Sequence, residues 1–119
     1  MKKKILCFDL DNVLCYTSKK KIYKNSKPNL KAIETVNELF KRGYVVKIFT
    51  ARGMSKFNGN KILVKKNYYK LTISQLSKWG VLYNELIMCK PSYDLFIDDK
   101  AFGFNKNWHK KILKKNNLF

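Results

Sequence analysis

Lys4-Ile5-Leu6-Cys7-Phe8 is a short, largely apolar run with no alternation, and it stops at Asp9-Leu10-Asp11-Asn12. A strand with one face in water would alternate polar and apolar residues. An uninterrupted run of this length suits a strand covered on both faces, as in a parallel sheet. The pattern recurs along the chain. Tyr44 to Phe49 ends at Thr50-Ala51-Arg52-Gly53, Glu85 to Met88 leads to Lys90-Pro91, and Tyr93 to Ile97 ends at Asp98-Asp99. After the first run, Leu30, Ile33, Val36, Leu39 and Phe40 recur at helical spacing, with Ser26 and Pro28 as start signals and Gly43 where a terminal glycine belongs. Residues 54–70 read as a loop around Gly59 followed by a helical stretch. Thr72-Ile73-Ser74-Gln75 has the capping-box pattern and predicts a separate short helix that stops at Gly80. Residues 13–27 form a polar, lysine-rich connection with the makings of a small hairpin, and a small basic helix is expected near 107–115.

Strand, helix, strand, helix, strand and strand in this order predict an α/β fold with a mainly parallel sheet. The length of 119 residues suits one domain, taken as 1–119, with no visible linker or repeat. In open parallel sheets, ligands sit beyond the carboxyl ends of the strands. Each polar cluster follows a predicted strand, so the topology gathers all of them on one edge.

Composition narrows the function classes. The formal charge of +18 invites a nucleic-acid reading. Against it, only Arg42 and Arg52 carry the guanidinium fork that reads guanine or grips phosphate, and the lysines are spread over the whole length. Nucleic-acid binding is therefore not the expected main function, and the charge is read as steering for anionic substrates. No run of about 18 apolar residues is present, so no membrane span is expected. Met1-Lys2-Lys3-Lys4 followed by an apolar stretch imitates a signal peptide, but Asp9 and Asp11 cut that stretch short. Cys7, Cys15 and Cys89 show no CxxC pairing and are odd in number, which fits a reducing, cytoplasmic setting.

The acids are more informative. Of eight, four are Asp9, Asp11, Asp98 and Asp99, in two tight groups at the ends of apolar runs. Hydrolysis of a phosphate monoester needs a nucleophile, a divalent cation, positive groups around the transferring oxygens and a proton for the leaving alkoxide. The sequence offers each part. Asp9 would be nucleophile and Mg2+ ligand. Asp11 would protonate the leaving oxygen and then activate water, provided its environment raises its pKa. Asn12 can adopt a tight conformation that aims backbone N–H groups at an anion. Thr50 would donate its hydroxyl to a phosphate oxygen, with the N–H of Ala51 beside it, and Lys90 would balance the negative charge. Asp98 and Asp99 would complete a metal site with Asp9 and Asp11. Arg52 is read as either a substrate contact or a surface residue. Tyr16 and Tyr23 would cover the site if residues 13–27 fold over it.

Phe8-Asp9-Leu10-Asp11-Asn12-Val13, Ile48-Phe49-Thr50-Ala51-Arg52-Gly53, Lys90-Pro91 and Phe96-Ile97-Asp98-Asp99-Lys100 together resemble the four ordered motifs of the haloacid dehalogenase (HAD) superfamily of phosphatases. The likeness runs from residue 5 to about 101. It implies a Rossmann-like, three-layer α/β/α sandwich with a minimal or absent cap domain, Mg2+ dependence and an aspartyl-phosphate intermediate. The stretches around TARGM, LTISQLSKWGV and KPSYDLFIDDKA are similar, more narrowly, to small bacterial HAD proteins linked to capsule or surface-polysaccharide synthesis. That likeness implies a small phosphorylated metabolite, such as a sugar or polyol phosphate, as substrate. An uncapped site accepts larger substrates or is closed by a neighbouring subunit, so a homo-oligomer is a natural arrangement. The rival readings are a polynucleotide end phosphatase and a basic nucleic-acid-binding module that keeps the fold without turnover.

Overall fold

A computed structural model describes residues 3–114. Residues 1–2 and 115–119, which include the basic start and the last residue of the helix expected near 107–115, lie outside the described residues. Strand β1 is Ile5–Phe8, β2 Cys15–Tyr16, β3 Lys27–Pro28, helix α1 Leu30–Lys41, β4 Val45–Phe49, α2 Lys61–Lys78, β5 Glu85–Ile87 and α3 Trp108–Lys114. The main sheet is parallel, in the order β1-β4-β5. Ile5 stands opposite Val45 and Phe8 opposite Ile48; Lys47 stands opposite Glu85 and Phe49 opposite Ile87. With β1, β4 and β5 all parallel, Phe8, Phe49 and Ile87 end on the same edge.

Helix α1 forms as its apolar stripe requires, with Ile33, Val36 and Leu39 buried. It starts two residues after Pro28, and its cap is neither Ser26 nor Pro28. Asn29 caps it, its side chain accepting from the Ala32 N–H at 3.2 Å. A side-chain acceptor on the third helical amide satisfies one of the orphan donors of the first turn. Gly43 follows the helix at φ +98°, a conformation that glycine adopts without a Cβ clash. The core is built from Phe8, Leu10, Leu14, Ile33, Val36, Leu39, Val46, Ile48 and Leu76, closed at one side by Trp108 and Ile112 of α3.

Residues 13–27 do form a small hairpin, as β2 pairs antiparallel with β3 through Cys15–Pro28 and Tyr16–Lys27. This hairpin and the segment leading into α2 leave no large cap domain over the strand ends.

Two expectations are corrected. The separate helix opened by Thr72 does not exist: α2 runs unbroken for 18 residues, capped by Asn60. Thr72 turns its hydroxyl back to the Tyr68 carbonyl at 2.7 Å, a bond that a threonine inside a helix can make. The fourth strand is also missing, since Tyr93–Ile97 pairs with no strand and is exposed throughout. Its aromatic side chains turn elsewhere. Tyr93 and Phe96 lie 5.1 Å apart, ring to ring, and both sit over the Lys90 ammonium.

Candidate active site

The edge where β1, β4 and β5 end carries a cleft of about 510 Å³, lined by Asp9, Asp11, Asn12, Ala51, Arg52, Lys90 and the hairpin residues Thr17, Ser18, Lys19 and Lys21 among others. Asp9 follows β1 directly. One of its oxygens accepts the Leu10 N–H at 2.8 Å and the other lies 3.6 Å from the Lys90 ammonium. Burial lifts the Asp9 carboxyl above the ordinary aspartate value, and the lysine pulls in the opposite direction.

Lys90 is buried despite its charge. Backbone bonding fixes it beside β4: Thr50 N–H donates to the Ile87 carbonyl, and Lys90 N–H donates to the Thr50 carbonyl. Cys89, with φ +69°, turns the chain between β5 and Lys90 through a left-handed conformation. The ammonium then lies 5.9 Å from the ring centre of Phe49, 5.0 Å from that of Tyr93 and 5.1 Å from that of Phe96. Three ring faces within about 6 Å supply attraction in place of lost hydration. Burial alone would lower the lysine pKa; the Tyr93 hydroxyl and the Asp9 carboxylate outweigh it, and the net direction is upward.

Asp11 is held most tightly of all. Its Oδ1 accepts from the Thr17 hydroxyl at 2.6 Å and from Arg52 Nη2 at 3.0 Å, and its Oδ2 accepts from Arg52 Nε at 3.0 Å. Arg52 is the residue whose place sequence reading missed. It is neither on the surface nor free for a substrate: its side chain is 0% exposed. Nη1 donates to the Thr72 hydroxyl at 3.2 Å and to Gln75 Oε1 at 2.6 Å, and the guanidinium stacks 4.9 Å from the centre of the Tyr23 ring. Gln75 in turn donates to the Tyr23 carbonyl at 2.7 Å. One arginine thus joins the β1 carboxylate, helix α2 and the hairpin segment. A signal for it was present in the composition. In a chain with 26 basic residues, Arg52 is one of two arginines, and a rigid planar fork is what lysine cannot replace.

Cys15 sits against the same network, its Sγ 3.5 Å from Asp11 Oδ1. Burial, and then the nearby carboxylate, push its thiol up to about 11, so it remains a neutral donor at physiological pH. Gly53, at φ +80°, lets the Tyr68 ring approach so closely that an added Cβ would stand 2.6 Å from a ring carbon. Tyr68 in turn meets Tyr23 edge-on at 5.0 Å.

The remaining expected residues divide. Asn12 has φ +64°, the tight conformation foreseen, but its N–H donates to the Cys15 carbonyl at 2.7 Å. Thr50 is fully buried, and its hydroxyl accepts the Arg52 N–H at 3.2 Å, so it does not line the cleft, whereas Ala51 does. Tyr23 lines the cleft; Tyr16 is exposed and does not. Asp98 and Asp99 are exposed in a turn where Asp98 accepts the Lys100 N–H at 2.8 Å. The four carboxylates do not come together as one cluster among the described residues. Among the described residues no three His, Cys, Asp or Glu side chains come together as a metal site. What the cleft does offer a cation is oxygen from Asp9, since both Asp11 oxygens are engaged by Arg52 and Thr17. That suits Mg2+, which binds through one or two carboxylates together with substrate oxygens and water.

The parallel sheet with helices, and no large cap among the described residues, is a HAD-like α/β fold. Two solved structures share this fold at TM-score 0.53: the D,D-heptose 1,7-bisphosphate phosphatase of B. bronchiseptica, at 16% identity over 76% of this chain and 52% of that one, and a chain of the Pnkp1/Rnl/Hen1 RNA repair complex, at 18% identity over 93% of this chain and 30% of that one. A structural-genomics target protein of Vibrio cholerae is more similar, with TM-score 0.75 and 30% identity over 96% of this chain and 99% of that one. The chain belongs to the same family as this Vibrio cholerae protein. No protein-family profile matches the sequence, and no curated protein does.

Proposed function

We propose that the chain is a Mg2+-dependent phosphatase acting in the cytoplasm on the phosphate monoester of a small metabolite, of the sugar or polyol phosphate class. The observation that carries this reading is the pairing of Asp9 with a buried, aromatic-caged Lys90 in the same cleft as a rigidly held Asp11. A lone carboxylate would repel a phosphate dianion. The adjacent ammonium offsets that repulsion and stabilises charge on the transferring oxygens. The B. bronchiseptica phosphatase of like fold, crystallised with magnesium and phosphate, supports the reading.

In this reading an Asp9 oxygen attacks phosphorus and the ester P–O bond breaks, while Asp11 gives its proton to the leaving oxygen. Water then attacks the aspartyl phosphate, Asp11 takes the proton from that water, and the Asp9–phosphorus bond breaks to release phosphate. Asp11 Oδ1 is crowded by donors, whereas Oδ2 accepts only from Arg52 Nε, so Oδ2 is the oxygen with a lone pair left to carry the proton. Asp9 would hold Mg2+, with Asp11 nearby, and the ion would supply charge neutralisation at the phosphoryl oxygens. A polynucleotide end phosphatase is the second reading, favoured by the lysines at the cleft mouth.

The test is hydrolysis of an aryl phosphate with Mg2+ and with EDTA, followed by mass spectrometry of the protein. Turnover that needs Mg2+, and a phosphoryl adduct that disappears in Asp9→Asn, are expected. Full activity in EDTA, or an adduct retained by Asp9→Asn, would overturn the assignment.

A further inference from the structure

In the cleft Asp9 is matched by Lys90 and Asp11 by Arg52, whereas the lysines toward the hairpin have no acid opposite them. The cleft's acidic residues are Asp9 and Asp11, and no other carboxylate is among its lining residues. Toward the hairpin it is lined by Lys19 and Lys21 with the hydroxyl residues Thr17, Ser18 and Ser55. A second hollow of about 720 Å³ shares Lys21, Tyr23 and Ser55 with the first and adds Lys20, Lys24 and Lys56, again with no acid. Among the described residues none of these five lysines forms an ion pair.

Backbone conformation adds an independent observation. Lys21 holds φ +56°, a left-handed conformation that non-glycine residues avoid, within a turn closed by its N–H on the Ser18 carbonyl at 2.9 Å. Strain of this kind is kept where the surrounding structure imposes it, and such sites gather at ligand-binding segments. Here it sits where the two hollows meet. Unpaired cations around a concave surface concentrate field lines and raise the local concentration of anions.

We infer that the hairpin lysines, Lys19 and Lys21 foremost, form a second anion subsite, and that the substrate is a small phosphate ester carrying a further phosphate or carboxylate. This inference rests on the phosphatase reading for the role of the Asp9 end, but the subsite itself is read by binding. The reacting phosphate lies against Asp9 and Lys90, and the second anionic group lies between Lys19 and Lys21. The second group then fixes which end of the molecule reaches Asp9.

The experiment is calorimetric titration at constant ionic strength with glucose 6-phosphate, fructose 1,6-bisphosphate and a 5′-phosphorylated trinucleotide. The proteins are the wild type, Lys19→Ala/Lys21→Ala, and the charge-matched control Lys110→Ala/Lys111→Ala in α3. The bisphosphate is expected to bind at least tenfold tighter than the monophosphate. That ratio should fall to about threefold or less in the hairpin variant and persist in the α3 control. Equal affinities in the wild type, or an equal loss in both variants, would overturn the subsite. Trinucleotide binding tenfold tighter than the bisphosphate would overturn the small substrate. If the affinity ratio behaves as expected while no ligand is ever hydrolysed, the phosphatase reading fails and the subsite stands.

Discussion

Replacing Arg52 with methionine tests the wiring of the cleft directly. The guanidinium is fully enclosed and its partner Asp11 is 19% exposed, so the variant strands a carboxylate with little water to replace the cation. Breaking a buried ion pair from one side costs about 3–5 kcal/mol. Gln75 Oε1 loses its 2.6 Å donor at the same time, an unsatisfied acceptor worth about 1–3 kcal/mol that overlaps with the first cost because the groups share one network. Thr72 loses less, since its hydroxyl still donates to Tyr68. The expected destabilisation is therefore about 3–5 kcal/mol, a large share of the roughly 5–15 kcal/mol typical of a domain. Urea unfolding followed by tryptophan fluorescence measures it, Trp108 being buried beside Phe8. Adding Asp11→Asn removes the stranded charge, so the double variant should be more stable than Arg52→Met alone by about 1–3 kcal/mol. An Arg52→Met variant within about 1 kcal/mol of wild type, or a double variant no better than the single, would refute the argument.

In the proposed mechanism Asp9 must be ionised to attack. Burial raises its pKa above the ordinary aspartate value, so in the metal-free protein its carboxyl should titrate above that value, as 13C NMR of the carboxyl would show, and the limb of that titration should move with its neighbours. Lys90→Met, which removes the cation favouring the carboxylate, should push the limb further up; a limb that moves down would contradict the pairing. Asp11→Asn should slow alkyl phosphates by roughly 10²–10⁴, and an activated aryl ester by less in the phosphorylation step, as rapid-quench kinetics would show. Cys15 should resist alkylation at pH 8 in the folded protein and react on unfolding, whereas exposed Cys7 reacts in both states, as peptide mapping would report.

The parts legible in the sequence are those set by local pattern. The strand runs at β1, β4 and β5 and the stripe of α1 are local patterns, and the polar clusters after Phe8 and Phe49 fell at strand ends as the parallel topology requires. The unbroken run of β1 did not mean cover on both faces, since Ile5 and Cys7 are exposed. What was not legible depends on partners distant in the chain. Thr72 and Gln75 match a capping box locally, yet both are spent on Arg52 inside a longer helix. Tyr93–Ile97 has strand composition, but two of its rings are drawn to the Lys90 ammonium, and Asp98 and Asp99 stay at the surface with them. Thr50 follows a strand as foreseen. Its hydroxyl accepts the Arg52 N–H, so it supports the cleft without entering it.

The network around Arg52 also bears on the order in which the molecule assembles. Its contacts join residues 41, 23 and 52 positions apart: Asp11 to Arg52, Arg52 to Gln75, and Tyr23 to Gln75. Loop closure over such distances must be met before these bonds can form, whereas α1 and α2 need only local contacts. Asp9 and Asp11 precede α2 in the chain, but Asp11 acquires its fixed geometry only once α2 has been made and docked. A partly folded chain with its helices in place would have the carboxylates and no working cleft.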